Sequence, residues 1–105
     1  MCRASFLGHK NIILLLLSHG ADINIRSSDG RSGLLWAAYR NKIEVMELLL
    51  DNGADLHLED NKGWNALDIA VMRMNYKAAL FLKRKGLILR DKDMYENHLW
   101  CEFDI

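Results

Sequence analysis

Short runs of apolar residues recur along the chain, and two of them are followed by the same pattern of polar residues and glycine. The runs at 12–17 and 45–50 place apolar side chains around a wide arc of a helix, which indicates a largely buried helix in each case. "SHGAD" follows the first run and "DNGAD" follows the second. A glycine in this position ends a helix because it adopts a positive φ at no steric cost. The pattern therefore predicts two copies of one buried helix, each closed by a glycine.

A shift of 33 positions, the separation of Gly20 from Gly53, aligns the chain with itself. The columns that align three times are the glycines at 20, 53 and 86, the alanines at 4, 37 and 70, and the leucines at 16, 49 and 82. Self-similarity at a fixed period of this length is typical of stacked repeat proteins, in which each unit buries its apolar face against the next.

One period contains the signals for helix, turn, helix and loop. Residues 34–41 predict a short first helix and residues 44–52 a second helix, with a turn between them. Residues 54–63 run out and back as an extended arm, and "NKG" at 61–63 supplies its turn. The sequence therefore predicts stacked helical hairpins joined by loop arms.

The second copy, "GRSGLLWAAYRNKIEVMELLLDNGAD" at 30–55, resembles the ankyrin repeat, whose consensus reads roughly G-x-T-P-L-H-x-A-A-x-x-G-H and then L-L-L-x-x-G-A-D. The third copy reads "GWNALDIAVMRMNYKAALFLKRKGLI" at 63–88, and the partial first copy keeps the family's glycine and histidine at Gly8 and His9. The resemblance implies an all-α fold, an ankyrin-repeat solenoid of stacked helix-turn-helix units with short extended loop arms. We expect ankyrin repeats over 1–93 (a partial first repeat at 1–29, a second at 30–62 and a third at 63–93) and a divergent cap or the start of a following segment at 94–105.

The chain departs from the family's T-P-L-H tetrapeptide, which is "SGLL" at 32–35 and "NALD" at 65–68. Ser32 keeps a hydroxyl that we expect to bond the backbone at the helix start. Gly33 replaces the proline and is expected to loosen that start. Leu35 and Asp68 replace the histidine, so its usual hydrogen bonds must be made otherwise or lost. These changes bear on local stability and leave the predicted fold in place.

The two ends of the chain depart from a closed stack. The chain begins inside the first helix of a repeat, and residues 95–105 no longer follow the pattern. Phe103 falls on the alanine column, where close helix packing leaves little room for it. A solenoid needs about three repeats to be stable. We therefore expect the chain to be a piece, or a short variant, of a longer protein.

Charge and cysteine content narrow the class of protein. The formal net charge of zero argues against a nucleic-acid or anionic-membrane binder, because both need a surplus of Lys and Arg. Cys2 and Cys101 lie at opposite ends of the chain, which is not the pattern of a disulfide-rich secreted protein. We expect them to be too far apart for a disulfide. A reducing compartment follows, with the cytoplasm expected and the nucleus as the alternative.

The chain lacks the groupings that catalysis needs. It has no Gly-rich phosphate loop and no Ser–His–acid set. A spacing of three would place His98 and Cys101 on one face of a helix, but zinc needs three or four ligands. We expect no enzyme activity, no cofactor, no metal and no small-molecule substrate.

Two charge runs have a structural explanation in the repeat register. The acidic run, residues 44–60, contains six Asp and Glu and no Lys or Arg, and the basic run, residues 71–90, contains six Lys and Arg and no Asp or Glu. Glu44 occupies the same repeat position as Lys77, so the stack is expected to pair them, as it pairs Asp51 with Arg84, each for ~0–1 kcal/mol.

The family resemblance implies that first helices and loop arms line one concave side, where a partner protein usually binds. The positions that the scaffold leaves free include Trp, Tyr, Arg and Met, which are enriched at protein interfaces. Ala37 and Ala38 are expected to face inward. The predicted first-helix contacts are Trp36, Tyr39, Arg40, Ile69, Met72 and Arg73, and the predicted arm and loop contacts are Arg31, Asn61, Lys62 and Trp64.

The predicted surface indicates a class of function but does not identify a partner. The interpretation we favour is a non-catalytic protein-interaction module. Each aromatic residue taken alone is equally consistent with packing against a neighbouring repeat. Two alternatives stay open: a structural spacer buried in a larger assembly, and the regulatory repeat region of a multidomain enzyme.

Overall fold

The computed structural model describes residues 2–87, and within that range it contains helices and loops but no strand. Its six helices are α1 (Cys2–Leu7), α2 (Lys10–Ser18), α3 (Gly33–Tyr39), α4 (Ile43–Asp51), α5 (Ala66–Met72) and α6 (Tyr76–Arg84). The helices form successive hairpins, and the first helices stack in a row because α3 packs against both α1 and α5. The all-α architecture of stacked helix-turn-helix units is confirmed.

Alanines allow the first helices to approach closely. Ala37, Ala38 and Ala70 are fully buried, and Ala4 is nearly so. A larger side chain at these positions would force the neighbouring helices apart, since the contacts between helices in a protein interior are close-packed. The prediction that Ala37 and Ala38 face inward is confirmed.

Short turns inside each hairpin also join neighbouring repeats. Asn41, in the turn before α4, has a φ of 59° and accepts a hydrogen bond from the Ala78 backbone N–H through Oδ1 at 3.1 Å. Asn75, which precedes α6, donates from Nδ2 to the carbonyl oxygens of Ala38 and Tyr39 at 2.9 and 2.8 Å. The Asn75 side chain thus bonds carbonyls at the end of α3, and the Asn41 side chain bonds an N–H group in the first turn of α6. The third repeat is thereby fastened to the second by polar contacts as well as by packing.

The loop arms form equivalent turns in successive repeats. The Ser27 N–H donates to the Arg31 carbonyl, and the Asp60 N–H donates to the Trp64 carbonyl, at 2.9 Å in both arms. The Asn61 side chain then donates to the Ser28 carbonyl at 3.0 Å, which links one arm to the next. The arms are therefore a repeated, hydrogen-bonded element and not loose connections.

The start of α3 differs from the expected cap. The Ser32 Oγ atom is buried and has no hydrogen-bond partner, so the prediction that this hydroxyl bonds the backbone is wrong. The equivalent residue, Asn65, accepts from the Asp68 N–H at 2.9 Å, and the Asp68 carboxylate accepts from the Asn65 N–H at 3.1 Å. This reciprocal capping box replaces the family's histidine contacts in the third repeat. Leu35 offers no such carboxylate in the second repeat.

One predicted ion pair is replaced by another. The Lys10 Nζ atom lies 2.8 Å from the Glu44 carboxylate, so Glu44 pairs with α2 and not with Lys77. This contact lowers the pKa of Glu44, chiefly through the hydrogen bond from Lys10. Both side chains are largely exposed, so the pair contributes little to stability.

The predicted pair of Asp51 with Arg84, both within the described range, does not form. Other expectations fall on residues 88–105 and lie outside that range. They concern the end of the third repeat, the cap or following segment at 94–105, His98, Cys101 and Phe103. Between residues 2 and 87, none of the helices is both long and apolar enough to cross a lipid bilayer.

Candidate partner-binding surface

Three aromatic rings from neighbouring repeats meet on the first-helix side of the stack. Phe6 of α1 contacts Trp36 of α3 edge to face, with ring centroids 5.5 Å apart, and stacks on Tyr39 at 6.2 Å. Trp36 and Tyr39 also meet edge to face at 5.5 Å. These distances are those of favourable aromatic pairs. All three rings are partly exposed, so we call Phe6, Trp36 and Tyr39 the aromatic cluster.

Three arginines lie over the rings of the aromatic cluster. The Arg31 guanidinium lies 4.9 Å from the Trp36 ring centroid, and Arg40 lies 4.7 Å from that of Phe6. Arg73, at the end of α5, lies 4.3 Å from the Tyr39 ring. Cation–π contacts at these distances contribute about 0.5–1 kcal/mol each at exposed sites. Arg40 and Arg73 therefore lie over rings of a neighbouring repeat, and Arg31 lies over a ring of its own repeat.

Arg31 differs from the other two arginines because its charge is neutralised. Its Nε atom lies 3.4 Å from the Asp60 carboxylate, and the two side chains are only 16% and 2% exposed. The other oxygen of Asp60 accepts from the N–H groups of Lys62 and Trp64 at 2.9 and 3.0 Å. Removing either charge would leave its partner buried and unpaired, which is costly. Arg31 thus joins the first arm to the second as well as contacting Trp36.

An apolar pocket of about 380 Å³ opens beside the cluster. Trp36 forms part of its wall and is oriented by a hydrogen bond from Nε1 to the Ser27 Oγ atom at 3.2 Å. Burial raises the pKa of the Cys2 thiol, which keeps the thiol uncharged at physiological pH. The pocket is lined by Cys2, Arg3, Phe6, Leu7, Ser27 and Trp36.

The repeated helical hairpins and their arms have a counterpart among known families. A family model described as ankyrin repeats, in three copies, matches residues 1–93. The chain is an ankyrin-repeat protein. No curated protein matches its sequence. Ankyrin repeats are generally protein–protein interaction modules without catalytic activity.

The other predicted contacts of this ankyrin stack lie at different depths. Met72 is 45% exposed and lies in the same α5 helix as Ile69, which is only 1% exposed. The expectation that Ile69 occupies a free position is wrong, because six of the seven residues of α5 are buried. Trp64 is partly buried and packs against the core. Exposed side chains at the tip of the second arm belong to Asn61 and Lys62.

Phe6 is a residue of this surface that the sequence prediction missed. In the ankyrin register it precedes Tyr39 by 33 positions, and Met72 follows Tyr39 by the same number. Extending the column of free first-helix positions into the partial first repeat would have identified it. No pattern in the sequence indicated the pocket beside Phe6. Cys2 and Ser27, which both line it, come together only because α1 packs against the loop before α3.

Proposed function

We propose that this ankyrin stack is a non-catalytic module that binds a partner protein on its first-helix side, the concave face in the ankyrin arrangement. The observation that carries the proposal is the aromatic cluster with its overlying arginines. The rings are partly exposed, and Arg40 and Arg73 are exposed. Aromatic and arginine side chains held rigidly at a surface contribute most of the binding energy in protein interfaces.

The neighbouring predicted residues extend the proposed interface along the stack. Met72 continues the column of Phe6 and Tyr39, and nearly half of its surface is open to solvent. The remaining contacts in the proposal come from the arm and loop residues Trp64, Asn61 and Lys62. Because Trp64 is anchored against the core and its backbone N–H bonds Asp60, a partner would meet a preformed edge there.

A structural spacer is the second candidate, and a different surface supports it. Ile12, Leu14 and Leu15 on α2 are 47%, 45% and 58% exposed. Val45 occupies the position of Ile12 one repeat later and is only 2% exposed. An exposed apolar face that includes a position covered by stacking elsewhere in the chain is suited to burial against another protein surface. In this alternative, α2 and not the aromatic cluster makes the contact.

Selection of a random peptide library on the immobilised chain separates the two candidates. We expect peptides that bind the wild type and are lost with Trp36→Ala or Tyr39→Ala. Arg40→Gln provides a second variant, because its exposed side chain can change without disturbing the core. Leu15→Ala is the matched control on α2.

Melting of each variant, followed by circular dichroism, shows whether it still folds. Retention of the selected peptides by folded Trp36→Ala and Arg40→Gln, together with their loss in Leu15→Ala, would contradict the proposed interface and support the spacer.

A further inference from the structure

We infer that the segment recognised by the aromatic cluster is acidic and places one apolar side chain between its carboxylates. The inference rests on the proposed function and specifies the chemistry of the partner. Two observations carry it: arginines without a carboxylate, and an apolar pocket next to them.

Arg40 and Arg73 are held as carboxylate receptors. Each guanidinium lies over an aromatic ring, which restricts its motion but uses the face of the group and not its N–H donors. Within residues 2–87 neither makes an ion pair, whereas Arg31 is paired with Asp60. A planar guanidinium with free N–H groups binds a carboxylate in bidentate fashion. The two arginines therefore fit a partner with carboxylates in register with Phe6 and Tyr39.

The pocket beside Trp36 fits an apolar anchor. Its volume of about 380 Å³ lies within the range of ligand pockets, and its walls include the Phe6 and Leu7 side chains. Arg3 is exposed at its edge and makes no ion pair within the described residues. An apolar side chain entering here would lie next to Arg3 and to Phe6, the ring that Arg40 covers. A segment with one apolar residue flanked by acidic residues meets both requirements.

The charge distribution favours an acidic protein over a nucleic acid. The chain has equal numbers of acidic and basic residues, so it lacks the surplus that phosphate binding requires. Within residues 2–87 the acidic residues concentrate at 44–60, on α4 and the arm that follows, whereas the rings of the aromatic cluster come from α1 and α3. Local charge complementarity therefore selects the first-helix side without attracting polyanions to the whole surface.

Fluorescence anisotropy with short labelled peptides tests the inference. The probe has the core sequence Glu-Glu-Leu-Glu-Glu between glycines, and two comparison peptides carry glutamine or lysine in place of glutamate. We expect the acidic peptide to bind about tenfold more tightly than the glutamine peptide, with an affinity that falls as salt rises. We also expect the double variant Arg40→Gln, Arg73→Gln to lose about tenfold in affinity for the acidic peptide alone.

Arg84→Gln is the matched control, because it removes one exposed cation from the end of α6 and leaves the cluster contacts intact. Equal affinity for the acidic and glutamine peptides would overturn the inference, as would an equal effect of Arg84→Gln. So would tighter binding of a single-stranded oligonucleotide than of the acidic peptide. If the library selection still yields cluster-dependent peptides of another composition, the proposed function stands and only the acidic chemistry fails.

Discussion

Ser5 and Gly33 meet where the first repeat packs against the second. We expect alanine at both positions to raise the free energy of unfolding, but alanine at Gly33 to help only once Ser5 has been replaced. Ser5 of α1 is fully buried, and its Oγ atom has no hydrogen-bond partner. A Cβ atom added at Gly33 would lie 2.6 Å from that oxygen, and 3.4 Å from both Ser5 Cβ and Leu49 Cδ1. One repeat later the same two positions hold Ala38 and Ala66, both fully buried. The double variant Ser5→Ala, Gly33→Ala therefore installs an alanine pair that the scaffold already accepts.

The contributions can be estimated separately. Ser5→Ala removes a buried unpaired hydroxyl, whose desolvation costs about 1–3 kcal/mol, so we expect a net gain of ~1 kcal/mol. Gly33→Ala should gain ~0.5–1 kcal/mol from helix propensity and the less flexible unfolded chain. With Ser5 present, the contact at 2.6 Å opposes that gain, because overpacking costs about 1–3 kcal/mol. The second substitution should therefore stabilise only when the first is present.

Urea unfolding followed by circular dichroism measures the four corners of this cycle. We expect a coupling free energy of ~1 kcal/mol or more between the two sites, and a double variant whose melting temperature rises by roughly 4–8 °C per kcal/mol gained. Ala66→Gly is the control at the second contact and should cost ~1 kcal/mol. Additive effects at Ser5 and Gly33 would refute the reasoning, because they would show that the two side chains do not meet.

Three further predictions concern polar contacts. Asn65→Ala should destabilise the chain by ~1 kcal/mol through loss of the capping box. Ser32→Ala at the equivalent position should instead stabilise it by ~1 kcal/mol, because like Ser5→Ala it removes a buried hydroxyl without a partner; equal losses in urea titrations would contradict this. Asn75→Ala should cost about 1–3 kcal/mol because the Tyr39 carbonyl loses its side-chain donor and the Ala38 carbonyl keeps only the Asn41 N–H; an unchanged unfolding midpoint would argue against that role. Lys10→Met should raise the pKa of Glu44 to its ordinary value, as measured by NMR titration. In the wild type the pair gives a small stabilisation that is lost as pH falls through the lowered pKa, and the variant should lack it. A pKa that does not move would contradict the contact.

The sequence predicted the helical hairpins well because their signals are local and repeated. Apolar spacing defines each helix, and Gly20 and Gly53 mark equivalent helix ends. Inward packing of Ala37 and Ala38 followed from the same register. These features depend on residues near one another in the chain, so periodicity alone is enough to locate them.

Burial and pairing between repeats were harder to predict, because the register fixes a position but not what covers it. Ile69 and Trp36 occupy the same column, yet the isoleucine is buried in the core and the indole is partly exposed. Glu44 pairs with Lys10, which lies one position off its own column and reaches it diagonally. Such contacts depend on side-chain length and on the packing of neighbouring helices, which the spacing of residues does not encode.

Chemical-shift mapping by NMR tests the central claim most directly, since it shows which surface the acidic peptide touches. The indole N–H of Trp36, hydrogen-bonded to Ser27, reports on the pocket wall. We predict that titration with the Glu-Glu-Leu-Glu-Glu peptide shifts this signal together with the backbone signals of Phe6 and Tyr39, and leaves Leu15 unchanged. Shifts confined to α2, with the Trp36 indole unmoved at saturation, would contradict the account.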